Sequence, residues 1–345
     1  MTQILRGTPA PEPATPAAPA WRPTRRAALI AGACLAATGH VRAEDWPTRP
    51  IVIVVPFAAG GTTDLVARAL GEQLGRGLGQ PVVIENRPGA GSTVGTDSVA
   101  KSAPDGYSFV LATLSSTGIA KGLYRNLPYD PVKDLTAVAP TVFIPISFGI
   151  TQRGWDVKTF PEFVAALKAK PGAYSYGSSG AGSTGHIASA NFLRQIGATA
   201  EHVPYRGAGQ SFAALIAGET QFTHDIPSLL KPLHESGQAR VLFVNGTERS
   251  PLLPDVPAQS ELGIPDYKSY SWYGIFGPAN LPSAITLRMA AAIETTLADP
   301  AIDAKLKELG TPGMRGWTPA RFAQYVKDEI DTWVPLVEAS GARAD

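Results

Sequence analysis

Short apolar segments alternate with amphipathic helical segments along most of this chain, twice over. That alternation restricts it to layered α/β architectures. The first unit sets the pattern. Ile51-Val52-Ile53-Val54-Val55 is an unbroken apolar run, as in a strand covered on both faces. A proline and a glycine pair follow (VPFAAGGTTDLVARAL). Residues 62–78 then repeat Val66, Leu70, Leu74 and Leu78 at i, i+4 spacing, with Arg68, Glu72 and Arg76 on another face. A strand at 81–85, a helix opening at Gly95, a Pro104-Asp105-Gly106 turn and a strand at 107–112 complete a βαβαβ series, which implies a parallel sheet.

Residues 135–150 form a long apolar stretch broken by Pro140 and Pro145, suited to carry the chain from one domain to another. A second alternating series begins with a helix after Thr159-Phe160-Pro161. It continues with a strand at 173–176, a glycine-rich turn, a helix at 186–196, a strand ending at Val203, a helix at 210–217 and a strand at 239–244. Residues 269–276 form an aromatic strand that could return to the first domain, and Trp272-Tyr273 reads as core. Three helical segments close the chain, the last with Thr318 as N-cap and Pro335 as an expected kink. The predicted organisation is a discontinuous first domain (44–148 with 272–345) and an inserted second domain (149–271). The cleft between them is the default ligand site.

The first 43 residues are read as an export leader outside the fold. An Ala/Pro/Thr-rich stretch precedes Arg25-Arg26, a short apolar run and Val41-Arg42-Ala43, which predicts cleavage after Ala43 and a periplasmic location. The paired arginines fit either the twin-arginine or the general secretory route. The single cysteine, Cys34, falls in this leader, so the predicted mature chain has no disulfide, thiolate nucleophile or cysteine metal site. Residues 1–43 hold five of the 30 basic and one of the 29 acidic side chains, leaving 25 basic and 28 acidic, a formal net charge of −3. Without basic runs, such a chain is a poor candidate for nucleic acid, and any anion must be bound locally.

Several turns repeat the opening pattern of strand, glycine-rich loop and helix, at 57–63, 89–95, 178–185 and 205–209. A helix start offers unpaired N–H groups and roughly half a positive charge, so two or three such turns facing a cleft could hold a carboxylate or phosphate without lysine or arginine. Gly180-Ala181-Gly182-Ser183-Thr184-Gly185 matches G-x-G-x-x-G, with Glu201 further on. It is not the first βα turn, and no dinucleotide or other cofactor is expected. Ser179, Ser183, His186, His202, His224 and Asp225 supply residue types for serine hydrolysis, but no serine sits in an intact G-x-S-x-G elbow. His224 and Asp225, as neighbours, should point apart. No histidine pair has helical i, i+4 spacing, so no metal site is expected.

Trp46-Pro47, Pro50-Ile51-Val52-Ile53-Val54-Val55-Pro56-Phe57, Gly60-Gly61 and Asp64 resemble the start of the Bug/TctC family. These are extracytoplasmic solute-binding proteins of tripartite tricarboxylate transporters. ENRPGAG, PDGY, LPYDPVKDL, YGSSGAGSTGH, VPYRG and LPDVP continue the match in order. The resemblance implies a type II-like periplasmic-binding-protein fold of two α/β domains, each a mainly parallel sheet flanked by helices. It further implies a monomeric, non-enzymatic receptor that closes on a small carboxylate and delivers it to membrane permease subunits. The alternatives are a sensor for a signalling partner and an exported serine hydrolase.

Carried over by motif, the first-domain wall would be Phe57, Gly60, Gly61, Thr62 and Asp64, with hydroxyls from Thr113 and Ser115. Ser179, Gly182, Ser183 and His186 would face them, with Tyr205 and Asp225 nearby. The chain departs from the family at Gly218-Glu219-Thr220-Gln221, at His224 in place of an apolar residue, and at Ser92 in a GAGG-type stretch. Asp64 could shape its own turn by accepting free amides, or meet the ligand.

Overall fold

The computed structural model describes residues 46–264 and 267–344, so the predicted leader and its cleavage site lie outside the described residues. The chain enters through β1 (Ile51–Val55), α1 (Thr62–Leu78), β2 (Val82–Asn86), α2 (Thr93–Ala100) and β3 (Ser108–Thr113). After α3 (Gly118–Leu123), β4 (Leu135–Pro145) and β5 (Ser147–Thr151) are separated by Ile146 alone. Next come α4 (Phe160–Ala169), β6 (Ser175–Ser178), α5 (Thr184–Ile196), β7 (Glu201–Pro204), α6 (Ala208–Ala217), β8 (Phe222–Asp225), α7 (Pro227–Glu235) and β9 (Ala239–Val244). β10 (Tyr270–Pro278) leads into α8 (Ser283–Ala298), α9 (Pro300–Glu308) and α10 (Pro319–Ala339).

The strands form two five-stranded mixed sheets, ordered β2-β1-β3-β10-β4 and β7-β6-β8-β5-β9, in a two-domain α/β architecture. In the first sheet β1 pairs parallel with β2 and β3, while β10 runs antiparallel to β3 and β4. In the second, β6 pairs parallel with β7 and β8, while β5 runs antiparallel to β8 and β9. Each sheet therefore has one reversed strand. It is the strand by which the chain arrives from the other sheet. With one residue between β4 and β5, no helical crossover fits, and the chain carries straight on into its new sheet.

Each sheet buries both faces. Val66, Leu70 and Leu74 of α1 and Ile285, Met289 and Ile293 of α8 cover one side of the first sheet. Leu123 of α3 and Phe322, Val326, Trp333 and Val337 of α10 cover the other. In the second sheet Phe163 of α4 and Phe192 of α5 pack on Phe148, Phe222 and Phe243, whereas Leu215 of α6 and Leu230 of α7 fill the opposite face. Trp272 and Tyr273 are buried, at 0% and 8% exposure. Two helices escaped the periodicity argument. α7 carries Pro227 in its first turn and Pro232 inside, and α3 has only six residues. Pro335 lies inside α10, which runs from Pro319 to Ala339.

The departure at Ser92 has a structural consequence. Ala90, Gly91 and Ser92 adopt successive positive φ values of 42°, 60° and 86°. Only glycine takes that region freely, so Ala90 and Ser92 hold strained backbone there. The phenol of Tyr124, at the end of α3, donates to Ala90 O at 2.8 Å and pins the loop.

Candidate functional site

Parallel strands place the turns that follow them along one rim of a sheet, which is where open α/β sheets bind ligands. In the first sheet the rim carries residues 56–61 after β1 and the turn Leu114–Ser116 after β3. In the second it carries residues 179–183 after β6, Tyr205 after β7 and Asp225-Ile226 at the end of β8. The two rims meet. Ser115 Oγ lies 3.4 Å from Thr184 Oγ1. Ile187 of α5 is buried in the same cluster as Leu114 and Leu123. Gly182, at φ 74°, sits so close to the Leu123 side chain that any Cβ would collide with it. Phe57 and Ile226 pack from opposite rims on the cluster that holds Tyr273.

The helix starts differ. Gly61 caps α1 in extended conformation with no side-chain hydrogen bond, so the amides of that first turn have no side-chain acceptor. At α5, Ser183 is the N-cap and its Oγ accepts from His186 N at 3.3 Å. The Ser183 hydroxyl proton is still free to donate. Thr62 and Ser115 are half-buried at the rim, and Ser179, Gly60 and Gly61 are exposed.

Other candidates are engaged within the protein. Asp64 is 2% exposed, and Oδ2 accepts from Gly60 N at 2.9 Å and Arg68 Nε at 3.0 Å. Its Oδ1 accepts from Asn86 Nδ2 at 2.9 Å, and the same amide donates to Phe57 O at 3.1 Å. The Arg68 hydrogen bond first, then those from Gly60 and Asn86, hold the carboxyl at about 2 despite its burial. Thr113 is buried and closes its own turn, its amide donating to Ser116 Oγ at 2.8 Å. Tyr205 lays its ring against Gly177, and its amide donates to Ser178 O at 3.0 Å.

His186 is turned inward. Its Nδ1 accepts the Gly182 amide at 3.1 Å, and its ring stacks on His202 at 3.6 Å between centroids, 5° from parallel. Ser178 Oγ lies 2.7 Å from His202 Nε2 and 3.0 Å from Gly180 O, to which it donates. The single hydroxyl proton then requires His202 to be the donor, which assigns its proton to Nε2. Burial pushes His186 down to about 3, with help from His202, and burial alone takes His202 to about 4. Both imidazoles are neutral at pH 7. The Ser178–His202 contact is no nucleophile–base pair in waiting, because Ser178 is 1% exposed and its proton is committed to a carbonyl.

His224 and Asp225 point apart, as neighbours on a strand must. His224 is fully buried, with Nδ1 2.8 Å from Ser189 Oγ and Nε2 2.8 Å from Tyr267 Oη, which donates in turn to Asn245 Oδ1 at 3.0 Å. That saturated relay makes a histidine tolerable where an apolar side chain would fit. Asp225 faces the rim, half-buried, and burial raises its carboxyl to about 6. Tyr273, whose hydroxyl is pushed up to about 12 first by burial, also feels the charge of Asp225 and has Thr63 as a hydroxyl neighbour. Neither Thr63 nor Tyr273 was visible as a rim residue in the sequence. Thr63 is one of a threonine pair, and Tyr273 sits in an aromatic strand that reads as core. Among the described residues no group of three or more His, Cys, Asp or Glu is placed to hold a metal ion.

Two glycine-supported helix starts, one on each of two rims that meet at hydroxyl side chains, suit a small anion bound without a lysine or arginine partner. Comparison with known proteins identifies the family. BugT of Bordetella pertussis is 33% identical over 319 residues, covering 91% of this chain and 96% of that one. Two solved Rhodopseudomonas palustris proteins share the fold. MatC, with bound malate, is 31% identical with a TM-score of 0.75, covering 85% of this chain and all of that one. A second, solved with adipate, is 32% identical with a TM-score of 0.77, covering 87% of this chain and all of its own. The model of the tripartite tricarboxylate transporter family receptor, TctC, matches residues 66–342. With the family model, the curated relative and the solved folds in agreement, this chain belongs to the TctC family of tripartite tricarboxylate transporter receptors.

Proposed function

We propose that this protein is a periplasmic receptor that captures a small organic carboxylate between its two domains and passes it to a membrane permease. The observation that carries the proposal is the meeting of the two rims, where Ser115 Oγ lies 3.4 Å from Thr184 Oγ1 at the Ser183-capped start of α5, the first rim also carrying the uncapped start of α1. Neutral dipoles and hydroxyls hold a carboxylate while leaving it free to depart, which a transport receptor requires. The relatives solved with malate and adipate support this ligand class. The first domain would take residues 44–148 and 272–345, and the second 149–271, with hinges at Ile146 and just before β10. Thr62, Ser115, Ser179 and Ser183 would contribute hydroxyls, and the Gly60–Gly61 turn its backbone. The receptor would act as a monomer and without catalysis.

Differential scanning fluorimetry against mono-, di- and tricarboxylates and aromatic acids tests the reading. At least one acid should raise Tm in a concentration-dependent way, by about 2.7 kcal/mol of stabilisation at a hundredfold excess over Kd. A Tm that no acid moves would remove the receptor reading. Asp64 we assign to loop shaping, since both of its oxygens are already satisfied. Asp64→Asn should cost about 1–2 kcal/mol of stability. Any acid found in the panel should bind the variant with a Kd within about threefold of wild type. A tenfold or greater loss of affinity would place Asp64 in direct contact with ligand.

A further inference from the structure

The chain passes between its two sheets twice, and a cavity lies where the two passages run side by side. Ile146 is the whole of the first passage, and residues 245–269, between β9 and β10, make the second. Asn245 N donates to Ile146 O at 2.9 Å and joins them. The cavity beside this junction has a volume of about 280 Å³. Phe143 and Pro145 of β4 and Tyr270 of β10 line it from the first sheet, and Ile264 and Tyr267 line it from the second passage. None of the rim residues described above takes part in its lining. The Phe143 and Tyr270 rings lie 5.3 Å apart between centroids, tilted by 33°, and both are half-buried. Lys268 is the cation among the described lining residues, which include no aspartate or glutamate. Its Nζ lies 5.9 Å from the centroid of the Tyr270 ring, and no ion pair within 4 Å engages it among the described residues. Ser269 lines the same cavity at 1% exposure, and its hydroxyl has no hydrogen-bond partner. The Tyr267 phenol, which feels that hydroxyl, is bonded to Asn245 and His224 instead.

A mainly apolar cavity with one unpaired cation and one unsatisfied hydroxyl is complementary to an occupant with a flat apolar body and a single anionic end. Its volume falls just under the roughly 300 Å³ at which pockets for drug-sized ligands begin, so the body is one ring rather than two. Two tilted rings on one wall favour an aromatic body over an aliphatic one, because they meet a third ring in offset or edge contact. A carboxylate is the anion for Lys268, since it also accepts from a hydroxyl and carries only one charge into an apolar space. The structure assigns this cavity as a second ligand site, for aromatic monocarboxylates the size of benzoate, with the ring against Phe143, Pro145 and Tyr270 and the carboxylate on Lys268. Glu329, which accepts from the Tyr270 hydroxyl, does not compete for Lys268, because both of its oxygens are engaged inside the protein. The site goes beyond the receptor reading above and stands without it, since its residues lie outside the rim.

Isothermal titration of the protein at pH 7.5 with benzoate, benzyl alcohol and benzylamine tests this, because the three share a ring and differ in charge. Benzoate should bind wild type at least about tenfold more tightly than either of the others. Lys268→Met keeps the apolar stem without the charge and should bring benzoate to within about threefold of benzyl alcohol. Thr247→Trp, at an exposed lining position, sets a ring in the cavity mouth and should weaken benzoate at least about tenfold. Benzoate that fails to bind wild type overturns the inference, and that result requires no variant to fold. A preference that survives Lys268→Met, or an affinity that survives Thr247→Trp, overturns it as well and places benzoate elsewhere on the protein. The receptor reading fails separately. Binding of other acids in the wider panel, with benzoate silent, strikes this site and leaves the receptor. Benzoate binding that both variants abolish, with every other acid silent, upholds this site and strikes the receptor.

Discussion

Glu329→Leu is expected to destabilise the protein by about 3 kcal/mol, the largest effect of any single substitution away from the rim. Glu329 is 5% exposed in the middle of α10. Its Oε1 accepts from Tyr270 Oη at 2.7 Å, and its Oε2 accepts from Trp272 Nε1 at 2.9 Å and Trp333 Nε1 at 3.2 Å. Leucine preserves the volume but strands two buried indole donors and the half-buried Tyr270 hydroxyl, each buried donor costing on the order of 1–3 kcal/mol without a partner. Removing a buried carboxylate, whose pKa burial raises, offsets part of that loss. Glu329→Gln should fall between, because the amide keeps one acceptor and turns a donor toward a donor. Urea unfolding followed by tryptophan fluorescence measures both, and two of the reporters are the indoles concerned. A shift below about 1 kcal/mol for the leucine variant would mean the hub contributes little. The substitution should also reach function. Glu329 ties α10 to β10, and α10 backs α3, whose Leu123 lies against Gly182 at the rim.

Glu329 also marks the limit of what could be read before folding. The stripe Phe322, Val326, Trp333 and Val337 announces the buried face of α10, and a glutamate four residues before Trp333 falls on that face. The exception is legible; its resolution is not, because Tyr270 and Trp272 stand 59 and 57 residues away. The same division holds at the rim. Glycine pairs and helix onsets are local signals, so the turns after β1 and β6 could be placed from sequence, as could the crossing after Pro145. Which groups remain free once placed is a tertiary matter. Asp64 turns back into Arg68 and Asn86, and His186 spends its Nδ1 on Gly182. Tyr273 looked like core and is core, yet its hydroxyl feels the charge of Asp225. The reversed strand in each sheet had no local signature either. It follows from two crossings, only one of which punctuates itself with prolines.

Lowering the pH from 7.5 to 5 is expected to remove several kcal/mol of stability, more than any substitution proposed above. Burial depresses His186, His202 and His224 to about 3, 4 and 3, against 6.5 in an unfolded chain. A histidine with a depressed folded pKa takes its proton in the unfolded state first. Its contribution is therefore complete above the unfolded value and is lost as pH falls through the window down to the folded one. At pH 5 each histidine has given up roughly 2 kcal/mol, and the three together roughly 6 kcal/mol as an upper bound. His234, also depressed by burial, adds in the same direction. Asp225 opposes it. With a folded value near 6 against 3.8, the native state takes the proton first, and by pH 5 it returns roughly 1 kcal/mol. Glu329, raised by burial, works the same way. Asp64, held near 2, stays ionised throughout and matters only below its unfolded value of 3.8. The histidines prevail because three of them act together, each shifted by more than Asp225. Urea midpoints at half-unit intervals between pH 7.5 and 5 should fall steadily, starting near 6.5. His224→Phe, which deletes the most buried of the three, should flatten the slope by about a third while lowering stability at pH 7.5, since Ser189 and Tyr267 lose their partner. A midpoint that stays constant across the range would mean that the stacked pair and the buried relay accept protons in place, and that the rim is not built on neutral imidazoles.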